Sequence, residues 1–473
     1  MKKEMPFWMA VIPLSVMIVV MFVTIVVLEQ GPHIPLIIGT TVAAIVAWKA
    51  GYTWNEIEDS MYKGIRLALP AVVIIMLVGL TIGAWIGGGI VATMIYYGLK
   101  IITPSLFLVS ITIICAVVAL AIGSSWSTMG TIGVAGMGIG ISMGIPAPMI
   151  AGAIISGAYF GDKMSPLSDT TNLASGLTNT NLFVHIRHML YTTVPGLLIA
   201  LIVYAVLGRN FGSNKINTND IEQTINVLQD SFVISPFLLL IPLIVIILVA
   251  KKVPAIPALV VGILLGLLSQ VFIQSGSFSD AFAALQSGFV IDSGNAMVDD
   301  LFNRGGLDSM MYTVSMTIVA MTFGGILEHT GMLQSIVNQI LKVAKSAKGL
   351  VASTVVSCFA TNATCSEQYI SIVVPSRMYA KAYEEKGLHS KNLSRALEDG
   401  GTLTSVFIPW NTCGVFIFGT LGVHAFEYAP YAVLNFVVPL LSIAYALTGF
   451  TITKLTNSEL MNSKDEDEVT LNS

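Results

Sequence analysis

The sequence predicts an all-α polytopic membrane protein built from two inverted-topology repeats, each with a re-entrant hairpin and a broken helix. Three observations predict it: apolar runs of spanning length, an internal pattern that returns at a near-constant offset, and charges biased to one side. Of the 473 residues, 55% are hydrophobic and 11% charged, and the mean hydropathy is +0.81. A soluble domain carries about 25% charged residues. Met5–Leu28, Leu67–Ile86 and Tyr431–Ile452 each reach the ~20 apolar residues that a bilayer requires. So many runs of that length argue against a large soluble core.

The repeat is read from an ordered series of matches. Pro6-Phe7 before Ile12-Pro13-Leu14 returns as Pro236-Phe237 before Ile241-Pro242-Leu243, and Ile34-Pro35 with Gly39 returns as Ile256-Pro257 with Gly262. Gly64, Gly83, Gly89 and Lys100 match Gly306, Gly325, Gly331 and Lys342 at an offset of 242. Ser124 matches Ser366 at the same offset, and Pro166 matches Pro409 at 243. Residues 1–208 form the first repeat, 209–235 an extramembrane linker, 236–453 the second repeat, and 454–473 a disordered acidic tail holding Asp465 to Glu468.

Within the first repeat, spanning helices are expected near 7–28, 34–50 and 67–87. The run after Met1–Lys3 is too long for a signal-peptide core, so it reads as a retained first helix. A shorter segment follows at 90–100, then a hairpin over 105–144 that turns at Gly123–Thr128. A broken helix covers 146–178 and a last helix 190–208. Each repeat then crosses five times, so the second inserts upside down. With the N-terminus inside, all 23 Lys and Arg except Lys100, Arg209, Lys215, Arg304 and the membrane-embedded Lys163 fall on the cytoplasmic side. That is the positive-inside bias, and it predicts a bacterial plasma-membrane protein with both termini cytoplasmic. Inverted repeats with broken helices mark secondary transporters, whose sites lie near the midplane.

One stretch concentrates polar groups at that depth: GAYFGDKMSPLSDTTNLA, residues 157–174. Gly157, Gly161 and Pro166 are expected to interrupt the helix. Unwound backbone is tolerated inside a bilayer only against protein or a cavity. Asp162, Asp169, Thr170 and Asn172 with freed carbonyls make a set of hard oxygen ligands for Na⁺. The alternative is a satisfied polar patch pinning two helices, with Lys163 neutralising Asp162 or Asp169. The second half supplies Glu398, Asp399, Gly400 and Gly401, then Thr404, Ser405, Pro409, Asn411 and Thr412. Glu398 and Asp399 are expected at a solvated helix start.

Both hairpin tips are polar: Gly123-Ser124-Ser125-Trp126-Ser127-Thr128, and Thr361-Asn362-Ala363-Thr364-Cys365-Ser366-Glu367-Gln368. Their hydroxyls suit either ion binding or ordinary turn capping. Glu367 is the sharper candidate, because a carboxylate at a membrane hairpin tip needs a partner. Glu328-His329 read as the wet end of a helix, while His33, His185, His188, His389 and His424 read as loop or interface residues. Gly136, Gly140 and Gly144 suit close helix packing. Cys115, Cys358, Cys365 and Cys413 show neither disulfide nor metal spacing. The Gly140–Gly144 match to a nucleophile elbow lacks a strand context. No zinc-protease or nucleotide-loop motif occurs, so no enzyme, cofactor or nucleic-acid partner is expected.

The stretch 157–174, preceded by GSSWSTMGTIGVAG at 123–136, resembles the NhaC-type sodium/proton antiporters, over most of the chain. The resemblance implies an elevator-type transporter, with a homodimer as the expected assembly. It implies an ion site of Asp162, Asp169 and Asn172 with Ser124, Ser125 and Thr128, to which Glu367, Asn411 and Thr412 add the second repeat's share, with Thr364 beside them. Na⁺ itself is expected at Asp169, Asn172 and Ser124. A branch with similar motifs exchanges malate and protons for sodium and lactate, and there Lys163 and Trp126 could hold a carboxylate. Burial disfavours a charged carboxyl and a neighbouring ammonium favours it. Na⁺ and H⁺ are therefore expected to compete for one buried carboxylate, Asp169 first, then Asp162 and Glu367.

Overall fold

A computed structural model describes residues 5–28, 30–211, 218–251, 253–343 and 346–455. Lys2, Lys3, Lys215, Lys252, Lys345 and the acidic stretch Asp465 to Glu468 lie outside the described residues. Every named element among the described residues is helical. The first half runs α1 (Phe7–Phe22), α2 (His33–Lys49), α3 (Trp54–Gly87), α4 (Ile90–Ile101), α5 (Pro104–Ile122), α6 (Ser125–Thr128), α7 (Val134–Ser142), α8 (Ala147–Met164), α9 (Asp169–Leu177) and α10 (Leu182–Gly208). A helix α11 (Thr218–Ser231) lies within the expected linker. Then come α12 (Leu240–Ala250), α13 (Ala255–Phe272), α14 (Phe278–Ser287), α15 (Ala296–Phe302), α16 (Gly306–His329), α17 (Met332–Val343), α18 (Ala347–Cys365), α19 (Gln368–Glu385), α20 (Ser390–Leu397), α21 (Thr412–Leu421), α22 (Ala425–Tyr428) and α23 (Val433–Thr448).

Among the described residues, four helices are long and apolar enough to cross a membrane: Trp54–Gly87, Pro104–Ile122, Leu182–Phe211 and Gly306–His329. Three bent pairs bring this to seven if each is one span. The chain is thus a multi-pass helical membrane protein. Two helices start earlier than expected. α3 begins at Trp54, where Thr53 and Glu56 form a reciprocal capping box. α10 begins at Leu182, where the Asn181 side chain accepts from the N–H groups of Phe183 and Val184. Neither signal is apolar, so a reading by hydropathy passes over both.

Element starts recur at a fixed spacing. α4 and α17 begin at Ile90 and Met332, 242 positions apart. α5 and α18, each 19 residues, begin at Pro104 and Ala347, 243 apart. α8 and α20 begin at Ala147 and Ser390, and α9 and α21 at Asp169 and Thr412, again 243 apart.

The glycines of the polar stretch do something other than expected. α8 runs unbroken through Gly157 and Gly161 and stops only at Met164, ahead of Pro166. The two glycines instead let α8 press on α5: a Cβ at Gly157 would strike the Thr112 carbonyl oxygen, and one at Gly161 the Ala116 carbonyl oxygen. Gly161→Val is therefore expected to lower the melting temperature and yield of detergent-purified protein, since overpacking costs about 1–3 kcal/mol or more. Gly176→Ala, where a Cβ meets nothing within 4 Å, is expected to leave both unchanged.

Candidate functional site

Two helix reversals build the site. α5 ends at Gly123, whose φ of 75° reverses the chain without a Cβ clash. The Ser124 hydroxyl then accepts from the Ser127 N–H and caps α6. This turns Ser125 toward the last turn of α8. The Ser125 N–H and hydroxyl both donate to Asp162 Oδ2, at 3.0 and 2.7 Å. At the other reversal α18 ends at Ser366, with φ 60°. Glu367 caps α19, its Oε2 accepting from the Ile370 N–H at 3.0 Å. The two tips thus use the same device, a left-handed residue followed by a capping side chain. The residue paired with Glu367 by this geometry is Ser124, 243 positions earlier, not the Ser366 that letter matching pairs with Ser124.

Between the tips lies a cavity of about 960 Å³. It brings together Ser124, Ser125, Trp126, Asp162, Asp169, Thr170, Asn172 and Glu367, as the sequence suggests, and adds Glu328, Gln368, Tyr369 and Arg377. Asp162 is buried, whereas Asp169 and Asn172 are open to the cavity. The Asn172 amide donates to the Pro166 and Ser168 carbonyls at 2.9 and 2.7 Å, which holds the break between α8 and α9. The Thr170 hydroxyl pairs with that of Ser168 at 3.2 Å. Trp126 stacks on Phe416 at 4.2 Å.

Four expected residues stand outside the cavity lining and brace it. The Thr128 hydroxyl donates to the Ser124 carbonyl at 2.9 Å, and that of Thr364 to Ala360 at 2.8 Å. Asn411 caps α21 and donates to Asn362 Oδ1 at 3.1 Å. The Thr412 N–H donates to the Ser366 carbonyl at 2.8 Å, fixing the second tip. Asn362 is a residue that sequence reasoning passed over. Its amide donates to the Gly401 carbonyl at 2.7 Å and to the Thr404 hydroxyl at 3.0 Å.

Lys163 is neither an open anion ligand nor the partner of Asp162 or Asp169. Its ammonium donates to Asp399 Oδ1 at 2.6 Å, with both side chains fully buried. The Thr192 hydroxyl reaches the same oxygen at 3.1 Å, and Arg395 Nε stands 3.8 Å from Oδ2. Glu398 and Asp399, expected at a solvated helix start, are 0% exposed, as is Arg395. The signal was available. At the spacing of 243, Asp399 falls on Ser156, in the body of α8 rather than at its start. His185 and His188 are also buried: His185 Nδ1 meets the Ser394 hydroxyl at 2.8 Å, and His188 meets the Lys391 and Thr451 carbonyls.

Among the described residues no group of three or more His, Cys, Asp or Glu could hold a metal ion. The cavity lining carries the carboxylates of Asp162, Asp169, Glu328 and Glu367 and the hydroxyls of Ser124, Ser125 and Thr170.

The profile of the Na⁺/H⁺ antiporter family matches residues 157–450. The chain belongs to this family. It is 39% identical over 455 residues to the Na⁺/H⁺ antiporter NhaC of Alkalihalophilus pseudofirmus, covering 96% of this chain and 98% of that one. It is 37% identical over 450 residues to the Na⁺/H⁺ antiporter NhaC of Bacillus subtilis, covering 95% and 99%. It is 38% identical over 439 residues to the malate-2H⁺/Na⁺-lactate antiporter of Bacillus subtilis, covering 93% and 94%. The family profile begins at Gly157, the first residue of the stretch that carries Asp162 and Lys163.

The Lys163–Asp399 pair joins the two halves of this antiporter-family chain. Breaking a buried pair from one side costs about 3–5 kcal/mol, while apolar replacement of both partners is often tolerated. Lys163→Met and Asp399→Leu are each expected to lower the melting temperature in detergent, and the double variant is expected to recover most of the loss.

Proposed function

We propose that this chain exchanges Na⁺ for H⁺ across the bacterial plasma membrane, with Na⁺ held at Asp162. The observation that carries this is the Asp162 carboxylate, buried in the cavity wall, with Ser125 donating twice to Oδ2 and the Ser168 hydroxyl close by. Two hydrogen bonds on one oxygen leave Oδ1 for a cation. Na⁺ would take that oxygen together with cavity oxygens from Ser124 and Asp169. Asp162 replaces Asp169 as first choice, because Asp169 is open to the cavity and less desolvated.

Further parts of the proposal concern motion and orientation. The recurring element starts support two repeats, which the odd number of crossings expected per repeat would set in opposite orientation. The hairpins and broken helices would move together against the early helices of each half, and the Lys163–Asp399 pair would keep them one body. Arg377 in the cavity lining, and Lys251 two residues before the lining residue Val253, support a cytoplasmic opening. The family relatives named above are transporters, which supports a carrier rather than an enzyme.

A second function, exchange of organic anions, is favoured by one observation. The cavity is far larger than one cation needs, and Arg377 lines it. Lys163 is not available for that role, so a carboxylate would have to meet Arg377.

The test uses liposomes with a trapped pH dye. Na⁺ added outside, with no organic acid on either side, is expected to drive proton movement. A signal only with malate outside and lactate inside would instead establish the anion exchanger. Asp162→Asn is expected to abolish the Na⁺-driven signal. Ser125→Ala is expected to raise KM for Na⁺ about tenfold, as for loss of one hydrogen bond to a charged group.

A further inference from the structure

Behind the cavity floor lies a second carboxyl that the Na⁺ site does not use. After α20 the helix widens into a π-helical turn over Glu398–Thr402. Such turns break the regular ladder and often sit at functional positions. Glu398 is its first residue and is 0% exposed. Among the described residues neither of its carboxyl oxygens has a well-aligned hydrogen bond, although the Thr402 and Thr170 hydroxyls lie close to it, and Asp399 Oδ2 also lacks one. The surroundings seal it. A Cβ on the neighbouring Gly400 would come within 2.9 Å of Cys358 Cβ and Val355 Cα on α18.

The groups that face Glu398 are few. Lys163 and Asp162 act on it from α8, Thr170 from α9, Cys358 from α18, and Thr402 from its own turn. Asp399 and Arg395 lie on its own segment, and His185 faces Lys163 from α10. Lys163, the nearest route to neutralising Glu398, is committed to Asp399. An ionised carboxylate left unpaired at this depth costs several kcal/mol, so the group must take up a proton or a cation. The positive charges of Lys163 and Arg395 close by disfavour any added cation, and the sealed surroundings offer no oxygen shell for a metal ion. A proton needs only one acceptor and no shell of oxygens. Thr170 is the link outward, since it lines the cavity and also neighbours Glu398.

From this geometry we infer that Glu398 is the proton-binding carboxyl of the exchange, separate from the Na⁺ site at Asp162 and reached from the cavity past Thr170. Asp162 and Glu398 repel each other when both are ionised. Na⁺ at Asp162 cancels one of the two charges and lets Glu398 release its proton; loss of Na⁺ restores the repulsion and draws a proton in. Coupling then needs no shared ligand. The inference rests on the Na⁺/H⁺ reading above.

The experiment compares two activities of the full chain in liposomes: ²²Na⁺/Na⁺ exchange at equal pH, and Na⁺-driven proton movement. Glu398→Gln keeps the shape and removes the proton site. It is expected to retain Na⁺/Na⁺ exchange and to lose Na⁺/H⁺ exchange at least about tenfold, in the range of a lost acid–base group. Glu398→Asp keeps a carboxyl and is expected to restore proton coupling with a displaced pH profile and unchanged Na⁺ saturation. Equal loss of both activities in folded Glu398→Gln, or loss of neither, overturns the assignment. So does an Asp variant as uncoupled as the Gln variant, and the Asp variant decides if the Gln variant does not fold. Wild-type protein that moves protons only with organic acids present would overturn the Na⁺/H⁺ reading instead, a distinct result.

Discussion

An ionised side chain inside a bilayer has no water to turn to, so its counter-charge must come from the protein. In this chain the requirement is met across the sequence midpoint. Lys163 follows Asp162 on α8, and Asp399 sits in the widened turn after α20, yet the two meet at 2.6 Å with no exposure. The pair ties the broken helix of one half to that of the other. It also determines what neighbouring groups can do. With Lys163 held by Asp399, Asp162 has no cation beside it, only the hydroxyl and N–H of Ser125 and the nearby Ser168 hydroxyl, and it lines the cavity. Glu398 is left beside an ammonium already taken. One ion pair thus leaves two buried carboxyls without a cation of their own, which is where the proposed exchange places its Na⁺ and its proton.

The proposed division of labour follows from local chemistry. Asp162 opens on a cavity with hydroxyls and a second carboxylate around it, an environment that can replace the hydration of a small cation. Glu398 is sealed among helices with no shell of oxygens around it, an environment in which a proton is the one cation small enough to be taken up. The hairpin tips make the first environment possible. Each ends a helix with a left-handed residue and starts the next with a side-chain cap, so backbone N–H groups are satisfied at a depth where water is scarce.

Much of this could be read from the sequence. The polar stretch at 157–174 and both hairpin tips are conspicuous against apolar surroundings, and Ser124, Ser125, Asp162, Asp169, Thr170, Asn172, Glu367 and Gln368 among them converge on the cavity. Helix positions followed from apolar runs, although polar caps at Thr53 and Asn181 extend two helices beyond those runs. Glycine was the weaker guide. Gly157 and Gly161 suggest a break but serve close packing against α5, because a helix tolerates glycine where a neighbouring backbone must approach. Glu398 and Asp399 were misplaced because adjacent acids after a basic segment look like a solvated helix start. Only the spacing of 243, which sets Asp399 opposite Ser156, reveals their depth. The partner of Lys163 lies 236 positions away, and no local pattern announces a contact of that range.

The most direct test of the central claim is equilibrium binding of ²²Na⁺ to detergent-solubilised wild-type protein across a range of pH. If Na⁺ at Asp162 and H⁺ at Glu398 exclude each other through their charges, the apparent Kd for Na⁺ rises steadily as pH falls. It then levels off once the proton site is filled, as finite electrostatic coupling between two sites demands. An affinity for Na⁺ that is the same at every pH would contradict the account.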